Sequence, residues 1–244
     1  MREQFHKVTG KLANSYIFER GDELLVFDAG YRDERFIMGY IHRHLPRAHV
    51  ALAMATHSDV DHSGGLNALA RAAHCKIAVF EKSDQGFSID NLADAGTKLV
   101  TSIQEMLRPR FWRMYASGER KERKRDLPRF ETARPSMPAD LLRVRHDFEL
   151  KDGELLPGFP EWRLIWTPGH SEDSCCFYHE TDGILVTGDT ILGSSTTDTA
   201  VLPSVYSNKN RLQESIRRLK ELRVTTLAPG HGKLLHGEGI LEII

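Results

Sequence analysis

Ten residues, Thr56 to Gly65 (THSDVDHSGG), constrain this chain more than any other stretch. They put His57, Asp59, Asp61 and His62 within six positions, directly after the apolar run Val50–Ala55. The run suits a buried strand. If it stays extended, alternate residues share a face, so His57, Asp59 and Asp61 point together and the following turn supplies His62. Carboxylates brought together away from water need a counter-charge. Imidazole and carboxylate are the ligands of zinc, manganese and iron, so a divalent cation is the expected counter-charge.

Three later motifs repeat the theme. His170 follows Leu164-Ile165-Trp166-Thr167-Pro168-Gly169, Asp189 follows Ile184-Leu185-Val186-Thr187-Gly188, and His231 follows Thr226-Leu227-Ala228-Pro229-Gly230. Each is a short apolar run closed by glycine, which lets the backbone turn sharply and approach a shared centre. Sites in α/β proteins collect at strand ends along one rim of a sheet. Any one of these motifs is weak alone; four in succession predict one constellation.

The rest of the chain supplies the frame. Ser15–Glu19 and Glu23–Asp28 around Gly21-Asp22 read as a β-hairpin. Residues 32–44 have helical apolar spacing, Leu66–Ala73 reads as a helix, and Lys76–Phe80 as a strand. Residues 81–145 break the pattern and read as a helical insertion within a single domain spanning 1–244. Its first half carries Ile89, Leu92, Leu99, Val100, Ile103 and Leu107 at helical spacing. From Arg108 to Arg134 there are ten Lys/Arg against four Asp/Glu, a local balance of +6. Strands are expected again at 146–150, 154–156, 161–167, 174–179 and 183–187. An amphipathic helix follows at 208–222, then a last strand at 224–228. Strand-rich halves, each followed by helix, predict an α/β architecture with sheets stacked inside and helices outside.

Composition narrows the partners. A formal net charge of −1 gives no global pull toward nucleic acid or a membrane surface. No apolar run approaches the ~20 residues needed to span a bilayer. The first residues lack the apolar core of an export signal, and Cys75, Cys175 and Cys176 make no disulfide framework. A cytoplasmic protein acting on a small molecule is expected.

In the order Asp28-Ala29-Gly30, the His57 cluster, TPGH at His170, TGD at Asp189 and APGH at His231, the chain resembles the metallo-β-lactamase superfamily. The resemblance implies a four-layer αββα sandwich with a dinuclear site in a groove at the sheet edges. It assigns His57, Asp59 and His170 to one metal and Asp61, His62 and His231 to the other, with Asp189 bridging. It also implies a hydrolase whose metal-bridging hydroxide attacks an ester, thioester, lactone or phosphoester. Two divalent ions are the implied cofactors, zinc first, then manganese or iron. The usual cluster has histidine where this chain has Asp59, and this harder oxygen donor moves preference toward manganese or iron. That departure sets up an alternative, a di-iron protein that binds oxygen or nitric oxide without hydrolysis. A second alternative is an inactive binding or regulatory member of the fold. In the catalytic reading Asp61 shuttles a proton, and Tyr206 donates to the developing anion. Asp28 supports a ligating histidine from behind. The basic insertion reads first as a solvated helix face; its second reading, with Arg110, Trp112, Arg113 and Tyr115 as the residues to test, is steering of an anionic substrate.

Overall fold

The computed structural model describes residues 3–83, 92–109, 111, 136–141 and 143–244. Two six-stranded sheets form its centre. The first runs β1 (Glu3–Thr9), β2 (Asn14–Arg20), β3 (Glu23–Phe27), β4 (His49–Met54), β5 (Lys76–Phe80) and β6 (Phe148–Leu150) in spatial as well as chain order. Its first three strands pair antiparallel and the rest parallel. The second runs β14 (Leu235–His236), β13 (Thr226–Pro229), β10 (Ile184–Gly188), β9 (Cys175–His179), β8 (Phe159–Trp166) and β7 (Leu155–Leu156). Here only β10 and β13 are parallel. A small ribbon, β11 (Leu192–Gly193) with β12 (Ala200–Val201), lies beyond β10.

Side-chain alternation builds the layers. Tyr16, Phe18, Leu25 and Phe27 face inward and meet Phe159, Trp162, Leu164, Phe177 and Val186 of the other sheet. The intervening residues Ile17, Leu24 and Val26 face outward, under α1 (Glu34–His44) and α3 (Leu66–Ala73). On the far side Tyr178, Leu185 and Leu227 receive Leu212, Ile216 and Leu219 of a helix here called α5 (Lys209–Leu219). Segments buried on both faces must be apolar, which is why Leu24–Phe27 of β3 and Ile184–Val186 of β10 read as unbroken runs. The result is the expected helix–sheet–sheet–helix stack.

The hairpin, the helices expected at 32–44, 66–73 and 208–222, and the inner strands fall where sequence placed them. The edge strand β1 and the two-residue strands β11, β12 and β14 did not register as elements. Between β5 and β6 the helical spacing becomes α4 (Leu92–Met106), and Pro138–Leu141 forms a single tight 3₁₀ turn. Arg110, Trp112, Arg113, Tyr115 and most of the basic stretch lie outside the described residues.

At one end the sheets are stitched together. Asn14 N donates to Gly230 O (2.7 Å) and Cys175 N to Thr56 O (2.8 Å). The Tyr16 hydroxyl and the Asn14 amide both donate to Pro229 O, at 2.8 and 3.0 Å. All the residues singled out as ligands hang from this stitched end. Between the sheets, Trp162 is fully buried, its ring 4.6 Å from Phe27 and 5.3 Å from Phe18. Trp162→Ala removes the largest fully buried side chain among the described residues and is expected to cost about 3–5 kcal/mol of unfolding free energy. Urea denaturation measures it; a loss under about 1 kcal/mol would mean the inter-sheet core closes without this ring.

Candidate metal centre

The chain leaves β4 at Met54 and does not stay extended. Asp28, at the end of β3, takes the backbone in a left-handed conformation (φ 61°) and turns its carboxylate into the gap between strands. There it accepts from Thr56 N at 2.7 Å and from the Thr56 hydroxyl at 3.1 Å. Residues Val60–Ser63 then close one helical turn, α2, with Asp59 just before it. His57, Asp59 and Asp61 therefore converge through a loop and a turn of helix. The expected alternation along a strand is corrected, because Asp28 captures the backbone at Thr56 and ends the ladder.

Each of the four histidines is fixed from behind through Nδ1. His62 Nδ1 donates to Asp28 Oδ2 (2.9 Å), His170 Nδ1 to Val205 O (2.9 Å) and His231 Nδ1 to Leu12 O (3.0 Å). His57 Nδ1 lies 3.1 Å from the Thr56 hydroxyl. That hydroxyl spends its proton on Asp28, so it accepts from His57. A carbonyl or carboxylate can only accept, so the proton of each neutral ring sits on Nδ1. All four Nε2 lone pairs then face one small volume. Such backing by carboxylates and carbonyls is the usual way to orient metal-binding histidines.

Three carboxylates face the same volume. Asp59 Oδ2 is 3.2 Å from His170 Nε2 and 3.4 Å from His57 Nε2. Asp61 Oδ2 is 3.5 Å from His231 Nε2 and 4.0 Å from His62 Nε2. Asp189 stands between, with Oδ1 3.5 Å from His62 Nε2 and Oδ2 3.4 Å from His231 Nε2. Three overlapping sets of ligand atoms result: His57–Asp59–His170, His57–His62–Asp189 and Asp61–His62–His231. His57 Nε2, His62 Nε2 and Asp189 Oδ1 are buried without a hydrogen-bond partner.

Lone pairs facing lone pairs need positive charge between them, supplied by protons or by metal. With protons alone, burial opposes charge on His62, but Asp28, Asp189 and Asp61 outweigh it and raise the ring to about 9. Burial is likewise outweighed for His231, which Asp189 and Asp61 raise to about 10. His57 goes the other way: burial and the neighbouring His62 lower it, leaving its Nε2 bare. Burial would raise the Asp189 carboxyl, yet His231, His62 and His170 hold it well below the ordinary range. Protons satisfy only part of the set. The residues fit divalent-cation binding.

The seven side chains singled out from sequence are thus brought together, and Tyr206 is not. Its ring packs half-buried against the cluster formed by α5 and the second sheet, while its backbone N–H and carbonyl bond the Thr101 hydroxyl of α4. Cys175 and Cys176 are buried in β9, and burial raises both thiols, so neither is poised as a nucleophile. Sequence reading missed Thr56, the carbonyls of Leu12 and Val205, and Lys98, whose ammonium lies 2.6 Å from Asp59 Oδ1. A cavity of about 350 Å³ opens over His170, Asp189 and His231. Leu192, Val201, Leu202, Pro203, Val205 and Phe111 give it an apolar wall, and Ser194, Ser195, Thr196, Ser204 and Glu105 a polar one.

The family model described as the metallo-beta-lactamase superfamily matches residues 8–231. A probable metallo-hydrolase, YqjP of Bacillus subtilis (strain 168), is 29% identical over 89 residues, 34% of this chain and only 28% of that protein. The acyl-coenzyme A thioesterase MBLAC2 of Bos taurus is 24% identical over 259 residues, covering 100% of this chain and 81% of the relative. Among solved structures, the BLEG-1 B3 metallo-beta-lactamase superposes with a TM-score of 0.58 at 20% identity, covering 96% of this chain and 94% of the other. At this identity the superposition speaks for the fold alone.

The glycine before His231 tests how tightly the centre is built. A Cβ at Gly230 would sit 2.5 Å from His62 Cε1 and 2.6 Å from Asp189 Oδ1. Gly230→Ala must therefore push two candidate ligands apart, and is expected to weaken divalent-ion binding by about tenfold or more. Competition against a chromophoric chelator measures this; an unchanged affinity would show that these side chains do not hold the ion.

Proposed function

The chain belongs to the metallo-β-lactamase superfamily, and from that premise we propose that it is a hydrolase holding two divalent ions and cleaving a small ester-like bond, a thioester first among them. The observation that carries this reading is the inward-facing ring of imidazole nitrogens and carboxylates on the floor of an apolar-walled cavity. His57, Asp59 and His170 would hold one ion and Asp61, His62 and His231 the other, with Asp189 shared. Zinc is the first expectation, and the oxygen donor Asp59 leaves room for manganese or iron. Bound there, two such ions would supply a water of lowered pKa and a Lewis acid for the electrophilic oxygen.

The chain's own residues do the rest. Asp28, Thr56, Val205 and Leu12 hold the imidazoles in the tautomer that keeps Nε2 inward, so no reorganisation is needed when substrate arrives. Asp61, half-buried at the rim, can take a proton from an attacking water and release it to solvent. Leu192, Val201, Leu202 and Pro203 can cover an acyl group and keep bulk water from the bond to be cut. The whole-length likeness to an acyl-coenzyme A thioesterase supports a thioester over a lactone or phosphoester. The +6 balance between Arg108 and Arg134 supports a substrate with an anionic portion, though not nucleic acid. Free Cys75, Cys175 and Cys176 fit a reducing compartment such as the cytoplasm. No helix among the described residues is long and apolar enough to cross a membrane.

Asp59 favours one rival, a di-iron protein that binds oxygen or nitric oxide. Protein reconstituted separately with zinc, manganese and iron, and offered acyl-coenzyme A thioesters, aryl esters, lactones and phosphodiesters, decides between them. The expected outcome is turnover of a thioester or ester that falls to background on chelation and in Asp189→Ala. No turnover with any ion overturns the hydrolase reading. Iron uptake with a near-ultraviolet charge-transfer band would then favour the di-iron rival, and no spectral change an inactive binding member.

A further inference from the structure

We infer that Lys98 makes Asp59 a one-oxygen, charge-balanced ligand and thereby sets which divalent ion the His57–His170 side of the centre prefers. The inference rests on the metal reading above and adds a residue to it that no sequence motif marks.

The two oxygens of Asp59 have different neighbours. Oδ2 faces the imidazoles, 3.2 Å from His170 Nε2 and 3.4 Å from His57 Nε2. Oδ1 is taken by the Lys98 ammonium at 2.6 Å. A charged lysine has three donors and no lone pair, so it cannot itself ligate. It can only occupy the second oxygen and cancel its charge. His57 and His170 are neutral as ligands, so Asp59 with Lys98 leaves this side of the centre at the charge a neutral imidazole would give, with an oxygen donor in place of nitrogen.

Lys98 is held to this task from its own helix. The α4 residue Thr101 donates its hydroxyl proton to Tyr206 O at 3.0 Å and lies 3.2 Å from Tyr206 N. Asn208 reaches Asp94 of the same helix at 3.4 Å. The loop so gripped also contains Val205, whose carbonyl orients His170. One helix thus positions both the cation beside Asp59 and the loop behind His170. The Lys98 side chain is 22% exposed.

The consequence is selectivity. Zinc is satisfied by four donors and accepts one oxygen from a carboxylate, whereas manganese seeks six ligands and favours oxygen. With Oδ1 engaged, Asp59 offers one oxygen and suits zinc. With Oδ1 released, both oxygens turn to the ion and manganese gains. Zinc and manganese carry the same charge, so the repulsion lost with the ammonium cancels in the ratio of their affinities. What remains in that ratio is the number of oxygens Asp59 can give.

The test uses the full chain stripped of metal, with dissociation constants for Zn²⁺ and Mn²⁺ measured separately by chelator competition and by the electron paramagnetic resonance of free manganese. In Lys98→Met the preference for zinc over manganese is expected to fall by about tenfold. Lys98→Arg keeps a charged donor on Oδ1 and is expected to hold the wild-type ratio. In an Asp59→His background, where no second oxygen exists, Lys98→Met is expected to leave the ratio unchanged. An unchanged ratio in Lys98→Met, or an equal shift with and without Asp59, overturns the inference while leaving the metal centre intact. Wild-type protein that binds neither ion overturns the centre itself, and the inference with it.

Discussion

Four imidazole nitrogens turned toward three carboxylates are the constraint on which this structure depends. Left alone, such an arrangement repels itself. Its rings cannot rotate away, because a carbonyl, a hydroxyl or a carboxylate holds each Nδ1 from behind. Its carboxylates cannot withdraw, because they spring from tight turns at the stitched end of the two sheets. A buried Asp28 at positive φ keeps the His62 ring and the Thr56 backbone in place at once. The fold therefore spends backbone strain and polar burial on an arrangement that only positive charge can complete, the mark of a site shaped by its ligand.

The sandwich explains why the parts arrive together. Each sheet ends its inner strands on the same side, and the glycines there permit approaches no side chain would allow. Gly188 meets the Thr56 hydroxyl and Gly230 meets His62 and Asp189. Asn14, Tyr16 and Cys175 bind one sheet to the other beside the ligands, so the two halves of the centre cannot drift apart. Helix α4, between β5 and β6, joins this frame through Lys98 and Thr101.

Much of this was legible in the sequence, for identifiable reasons. Leu24–Phe27 and Ile184–Val186 are buried on both faces, so they are apolar without interruption. Asp28, which backs His62, follows the first, and Asp189 closes the second. The edge strand Glu3–Thr9 carries only Phe5 and Val8 as apolar residues, and one goes to each face, so no run betrays it. The path of Thr56 to Asp61 departs from simple alternation because the residue that bends it, Asp28, lies a strand away. The loop of Tyr206 passes the site, but its ring packs against the α5 cluster. The carbonyls of Leu12 and Val205 have no sequence signature at all. Lys98 sits 39 positions beyond its partner Asp59, on a helix whose spacing announces only packing.

The central claim is that these side chains close around cations and not around protons. Anomalous diffraction from crystals of the zinc-loaded chain tests it most directly. Two peaks are predicted, flanking Asp189, each about 2.0–2.2 Å from the inward Nε2 atoms of its histidines. Density with no anomalous peak, and imidazoles joined to the carboxylates by short hydrogen bonds, would contradict it.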